Sequence, residues 1–197
     1  MRLITYLLFT ALFIVYGEET KTFTGKVIKV IDGNYCVVLV EKKEINVRLF
    51  GVDAPDTGQP FGKEAKKKLT ELIFGKKVKF VQIDIGFNKL RICQVISTPP
   101  ETSTTINHQK LLDQWPLNYT MVQSGLAWHL YKETRNDRVL AGLELEARKK
   151  KIGLWAGKDP ITPLEWRIKN DVVNHWLNTQ NDRRHKKTCR WFKRSQL

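Results

Sequence analysis

Apolar and polar positions alternate in the first half of this chain and then recur at helical spacing, and each change of period marks an element. "TGKVIKVI" and "YCVVLV" are short β-rich runs on either side of Asp32, Gly33 and Asn34, residues that favour a hairpin turn or a bulge. "EKK" supplies the next turn and "EINVRLFGV" a third strand. In "PFGKEAKKKLTELIFGKK", Ala65, Leu69, Leu72 and Ile73 recur as one helical face, with Pro60 near the start and Gly75 placed to end it. "KVKFVQIDI" and "LRICQVI" predict two more strands. Residues 97–116, Ser/Thr/Pro-rich at their start, read as a long loop. "LNYTMVQSGLA" predicts a short helix stopped near Gly125, and its sequon at Asn118 is a poor glycosylation acceptor inside a helix. "NDRVLAGLELEARKKKIGLW" predicts a longer helix capped by Asn136 or Asp137, with Leu140, Leu143 and Ala147 on one face and Gly153 closing it. No internal repeat is visible. Strands interrupted by a helix predict an α+β fold: a five-stranded, partly open OB-type β-barrel with about three packed helices.

Composition supports a globular core: 42% of the 197 residues are hydrophobic and 10% aromatic. The net charge of +14 points to a polyanionic partner, with nucleic acid the commonest. An acidic membrane surface, a packing role of the ribosomal kind or plain solubility are the alternatives. "MRLITYLLFTALFIVYG" carries Arg2 and then an apolar run over residues 3–16, short for a bilayer span and suited to a signal peptide cleaved after residue 17. The expected address is therefore secreted or periplasmic, with no stable membrane insertion once the signal is gone; an uncleaved anchor is the alternative. Cys36, Cys93 and Cys189 are an odd count, and the first two sit inside apolar runs as small core residues rather than a disulfide pair. From residue 165 onward, nine Lys/Arg stand against three Asp/Glu.

Candidate chemistry concentrates in "VRLFGVDAPD", which places Arg48, Asp53 and Asp56 where a strand leaves its apolar run. In-line attack of water on a phosphodiester builds charge on the phosphoryl oxygens, which guanidinium forks can hold. A hard cation on oxygen ligands adds Lewis-acid stabilisation, and a carboxylate takes the proton of the water. The competing reading is an ordinary salt-bridge cluster at the surface.

Taken together, "KVIDGN", "VRLFGVDAPD", "GKEAKKKLTELIFGKKV", "LRICQVI", "MVQSGLAW" and "EARKKKIGLW" resemble the staphylococcal nuclease (thermonuclease) family, in order, over about residues 22–167. The resemblance implies a calcium-dependent phosphodiesterase that cuts DNA and/or RNA with little sequence preference. It also implies roles: Arg48 and Arg91 hold the scissile phosphate, Asp53 is a calcium ligand, and Ala54 lends a backbone carbonyl. Asp56 stands where a general-base glutamate is usual, and Asn34 where a second metal carboxylate follows the "DG" turn. Asn34 lowers the charge of such a site by one, or else serves the turn alone. Asp56 is one methylene shorter than glutamate. "GFNKLR" lacks the Asp-x-Tyr-Gly-Arg pattern, so Arg91 is matched by register.

Asp32 reads as a turn residue beside the site rather than a ligand. Trp128, Trp155 and Trp166 read as packing residues rather than base-stacking platforms, and "ARKKKIG" as a solvated helix face that can add phosphate contacts. His175, His185 and Cys189 make at most half a zinc site, and the tail is similar to the start of a Cys/His-bearing extension found in some secreted nucleases of this type. The expected organisation is a signal peptide at 1–17, a nuclease domain at 18–167 and a flexible basic extension at 168–197, in a monomer. The rival function is a nucleic-acid-binding OB protein whose turnover is weakened by Asn34 and Asp56; a basic envelope-associated interaction protein is the third.

Overall fold

In the computed structural model, the described residues are 21–97, 115–157, 160–170, 175–178 and 183–186. The signal segment at 1–17, almost all of the 97–116 loop and Cys189 lie outside them. Six strands precede the loop: β1 Thr22–Val30, β2 Tyr35–Val40, β3 Lys43–Leu49, the two-residue β4 Val52–Asp53, β5 Lys77–Ile85 and β6 Arg91–Ser97. Helix α1, Gly62–Ile73, lies between β4 and β5. Helix α2, Leu117–Gln123, follows the loop, and then come β7 Trp128–His129, α3 Arg138–Lys149 and α4 Pro163–Lys169.

The sheet runs β1-β2-β3-β6-β5 and is closed. Closure comes from β1 and β5, which pair antiparallel from Thr22 opposite Val81 to Lys26 opposite Lys77, so the expected partly open barrel is in fact sealed. All barrel pairings are antiparallel except β3 with β6, where Val47 faces Arg91 and Leu49 faces Cys93. Period-2 alternation fills the interior with Val27, Val38, Val47, Leu49, Val78, Phe80 and Val95. On β1 the buried positions are Gly25, Val27 and then Val30, because an irregularity between Val27 and Lys29 re-phases the strand by one residue.

Helix α1 caps one end of the core with Ala65, Leu69 and Ile73, each fully buried as their spacing predicts. Asp137, one of the two expected caps, accepts from the Leu140 amide at the start of α3. Trp128 and Trp155 are buried edge to face, and the Arg148 guanidinium lies 3.7 Å over the Trp155 ring. Cys36 and Cys93 are free and buried, and burial pushes both thiols up to about 12. Helix α4 is the fourth α-helix among the described residues, built on a Thr162–Glu165 capping box with Pro163 in its first turn. Within the basic extension, β8 His175–Asn178 and β9 Arg183–Lys186 pair antiparallel.

Asn118 has a structural task that its sequon hides. Fully buried, its side chain accepts from Val95 N at 2.9 Å and donates to Phe50 O at 2.8 Å and Cys93 O at 3.1 Å. One amide thus pins α2 to β6 and to the bend after β3, and its burial agrees with the expectation against glycosylation. Asn118→Ala leaves three backbone groups without this partner, each costing about 1–3 kcal/mol if left unsatisfied. The variant should lose about 3 kcal/mol of stability in urea titration, with far-ultraviolet dichroism unchanged before the transition.

Candidate active site

The β1–β2 turn, the bend after β3 and the start of α1 converge on one point because Gly33 has no side chain. A Cβ there would lie 2.6 Å from the Ala65 Cβ and 2.7 Å from the Ala54 Cβ. The turn is held by Asp32, whose carboxylate accepts from Asn34 N at 2.9 Å, and by the Asn34 carbonyl, which accepts from Leu49 N at 2.8 Å. The Asn34 side chain is only 6% exposed; its Nδ2 donates to Val52 O at 3.1 Å and to Asp53 Oδ1 at 3.4 Å. Asn34 therefore does more than favour a turn, since it reaches across to Asp53.

Asp53 sits on β4, which is locked to β7 opposite Trp128. Burial raises its pKa, and the Asp56 charge adds to that; Arg167 first and then Arg48 oppose it. Asp32 is likewise raised, chiefly by burial, with Asp56 and Asp53 adding to it against the hydrogen bond from Asn34. Asp32 and Asp53 thus each feel the Asp56 charge on top of their burial.

Arg48, on β3, pairs its Nη2 with Glu133 Oε1, while Glu133 Oε2 accepts from Gly51 N at 2.9 Å. Asp56 accepts from Arg167 Nε at 3.0 Å. Arg48, Asp53 and Asp56 therefore do not pair among themselves, contrary to a simple salt-bridge cluster; the two charged partners, Glu133 and Arg167, come from far along the chain. Ala54 is 2% exposed, so only its backbone has polar atoms to offer. Arg91 stands opposite Val47, the residue before Arg48, and donates from Nη1 to Gln82 Oε1 at 2.9 Å. It lines a surface groove with Phe23, Lys43, Asn46 and Lys89, and no hydrogen bond or ion pair joins it to the acids at the bend.

The donor set is hard oxygen, which suits calcium or a similar cation. Nδ2 of Asn34 is anchored on Val52 and Asp53, which leaves its amide oxygen as the atom for a ligand. Burial is the first cause of the raised pKa of Asp53, and Arg167 and Arg48 offset it in part. Among the described residues no three His, Cys, Asp or Glu side chains form a ready cation cage, so carboxylate must be supplemented by amide and backbone oxygen. The residues present fit such a cation, with less charge than an all-carboxylate set.

The closed five-stranded barrel carries this acid-and-arginine bend on an OB-type frame. The sequence profile described as "Staphylococcal nuclease homologue" matches residues 46–157. The chain belongs to the staphylococcal nuclease family. It is 32% identical over 149 residues to a micrococcal nuclease of Shigella flexneri, covering 74% of this chain and 80% of that protein. An uncharacterized endonuclease of Haemophilus influenzae is 33% identical over 167 residues, covering 84% of this chain and 83% of the relative. A staphylococcal-like nuclease of Arabidopsis thaliana is 32% identical over 125 residues, covering 64% of this chain and 34% of that longer protein. The chain is accordingly a nuclease, a hydrolase whose substrate is nucleic acid.

The Asp56 bend depends on a second bare position. A Cβ on Gly62 would meet the Asp56 carbonyl oxygen at 1.9 Å, and that oxygen already accepts from Gln59 N at 2.8 Å. Gly62→Ala must therefore push the bend off α1, costing about 1–3 kcal/mol as overpacking does. The expected outcome is a lower urea midpoint together with reduced cleavage, whereas unchanged values of both would show that the bend yields freely.

Proposed function

We propose that this protein hydrolyses DNA and/or RNA with calcium as cofactor and with little sequence preference, at the bend between β3 and α1. The observation carrying the reading is the convergence of Asn34, Asp53 and Arg48 on one strand end, beside the Asp56 carboxylate. In this reading Asp53, the Asn34 amide oxygen and the Ala54 carbonyl hold the cation. When bound, calcium supplies positive charge against the phosphoryl oxygens and a Lewis-acid centre.

The chain's own residues do the rest. Arg48 presents a planar fork to the scissile phosphate, and Glu133 keeps the guanidinium from collapsing onto the acids. Arg91 reaches the same phosphate from the neighbouring strand, from the groove that carries Lys43 and Lys89. Charge grows on the phosphoryl oxygens as water adds, so both arginines bind the transition state more tightly than the ground state. Asp56 takes the proton of the attacking water, and the leaving oxygen departs opposite to it. The net charge of +14 draws the polyanion to this face at a rate that falls with salt. The domain limits proposed are 18–167, with residues 1–17 as a signal for secretion or periplasmic export, the basic extension adding phosphate contacts, and a monomer as the working unit. Binding without turnover is the second reading, favoured by one observation: Asp56 is already engaged by Arg167.

Excess chelator should abolish cleavage of single-stranded DNA and RNA by the full chain, and millimolar calcium should restore it, read on a gel. Full activity in chelator removes the cation from the mechanism, and calcium-independent binding with no cleavage selects the second reading.

Asn34→Asp tests the metal assignment itself. The new carboxylate loses both donor contacts of the amide and faces Asp53, so the metal-free protein should lose about 1–3 kcal/mol of stability. Calcium should bind about tenfold more tightly, the equivalent of about 1.4 kcal/mol, because carboxylate count tunes affinity in oxygen sites. Calorimetric titration of both proteins decides it, and equal affinities would place Asn34 away from the metal.

A further inference from the structure

We propose that Arg167 on α4 is a positioning residue for the hydrolysis, orienting the Asp56 carboxylate through its Nε, so that the working site includes the helix beyond the region matched by the family profile. The proposal rests on the reading of Asp56 as the base. The profile ends at residue 157, and Arg167 lies ten residues further on. Two separate ties bring it back. Nε donates to Asp56 Oδ2 at 3.0 Å. Gln59, only 6% exposed, accepts from the Asp56 amide with Oε1 at 3.2 Å and donates from Nε2 to the Ile161 carbonyl just before α4. One buried amide thus grips both the bend and the lead-in to the helix, and the arginine closes the same loop from the other side.

The local sequence is suited to fixing that arginine. Thr162 and Glu165 form a reciprocal capping box, Pro163 sets the first turn, and Pro163 is buried while Leu164 and Glu165 are exposed. Arg167 falls one turn after Pro163, on the side of the helix that meets the bend. The ion pair is partly exposed, with side-chain exposures of 38% and 34%, so its contribution to stability is small. Its consequence is directional instead. A short aspartate has fewer ways to reach a water than a glutamate, and an arginine bound through one oxygen leaves the other oxygen defined in direction.

The test is steady-state cleavage of a single-stranded DNA oligonucleotide at saturating calcium, using the full chain as wild type, Asp56→Asn, Arg167→Gln and the double variant, with thermal midpoints measured for each. Arg167→Gln should lower kcat by about 10- to 100-fold with KM changed by less than about twofold, the pattern of a misplaced base rather than a lost substrate contact. Arg167→Lys keeps the charge without the planar fork and should recover part of the loss. In the Asp56→Asn background, Arg167→Gln should remove no more than about a further twofold, because a residue acting through Asp56 has nothing left to orient. Wild-type kcat in Arg167→Gln, a rise in KM at constant kcat, or losses that multiply in the double variant would each overturn the positioning role while leaving the nuclease reading intact. Full activity in Asp56→Asn, or no cleavage by the wild type, overturns both.

Discussion

The site depends on how closely the β1–β2 turn can approach α1 and the bend after β3. Gly33 sits between the methyl groups of Ala54 and Ala65, with no room for a further carbon. That contact sets the height of Asn34 over Asp53, because Asn34, the next residue, is tied through N to Asp32, through Nδ2 to Val52 and Asp53, and through O to Leu49. It also explains why Ala65 and Ala54 are alanines: a larger side chain at either position would lift the turn and separate the amide from the carboxylate. The barrel contributes the second half of the constraint. The parallel pairing of β3 with β6 puts Arg48 one step from Arg91, and the β4–β7 pair holds Asp53 against Trp128. Position at the site is therefore a consequence of core packing, where small volume errors are felt strongly.

Electrostatics then divides the molecule. The chain as a whole carries +14, yet Asp32 on the β1–β2 turn and Asp53 and Asp56 after β3 feel one another's charge, and burial raises the pKa of the first two. Such a cluster is costly unless positive charge arrives from outside or from neighbouring side chains. Arg48 and Arg167 supply part of it, each tied on one side to a carboxylate. In the proposed reading a cation supplies the rest. An acid patch inside a basic field is what a phosphodiester site with an oxygen-bound cation calls for, since the same field must admit a polyanion and retain a cation.

Much of this was legible in the chain because it rests on local rules. The barrel strands follow from period 2 and from turn residues, and the faces of α1 and α3 follow from helical spacing with Gly and Asp at the ends. Asn34, Asp53 and Arg48 come together as their motif suggests. What escaped was set by long-range geometry. Barrel closure depends on β1 meeting β5 across more than fifty residues, and nothing local in "KTFTG" announces it. Glu133 and Arg167 partner residues 85 and 111 positions away, and no local pattern announces either pairing. Helix α4 was hidden because "DPITPLEW" is rich in proline; yet Pro163 is well placed in a first turn, and Thr162 followed three residues later by Glu165 is a capping box that could have been read.

Helix α4 also bears on where a folded unit ends. A boundary drawn at Trp155, in the second buried cluster, would discard Gln59's partner at Ile161 and leave a buried amide with an unmet donor, as well as freeing Asp56. A boundary at residue 167 keeps the arginine but cuts the helix inside its last turn, where Asn170 N still bonds the Trp166 carbonyl. Among the described residues the last backbone hydrogen bond of the helix is the one from Asn170 N, and β8 and β9 form a two-stranded sheet of their own. The candidate bend is thus enclosed by elements far apart in sequence, the β1–β2 turn before it and α4 after it, and the same close packing that aligns its groups links them to the folding of the barrel.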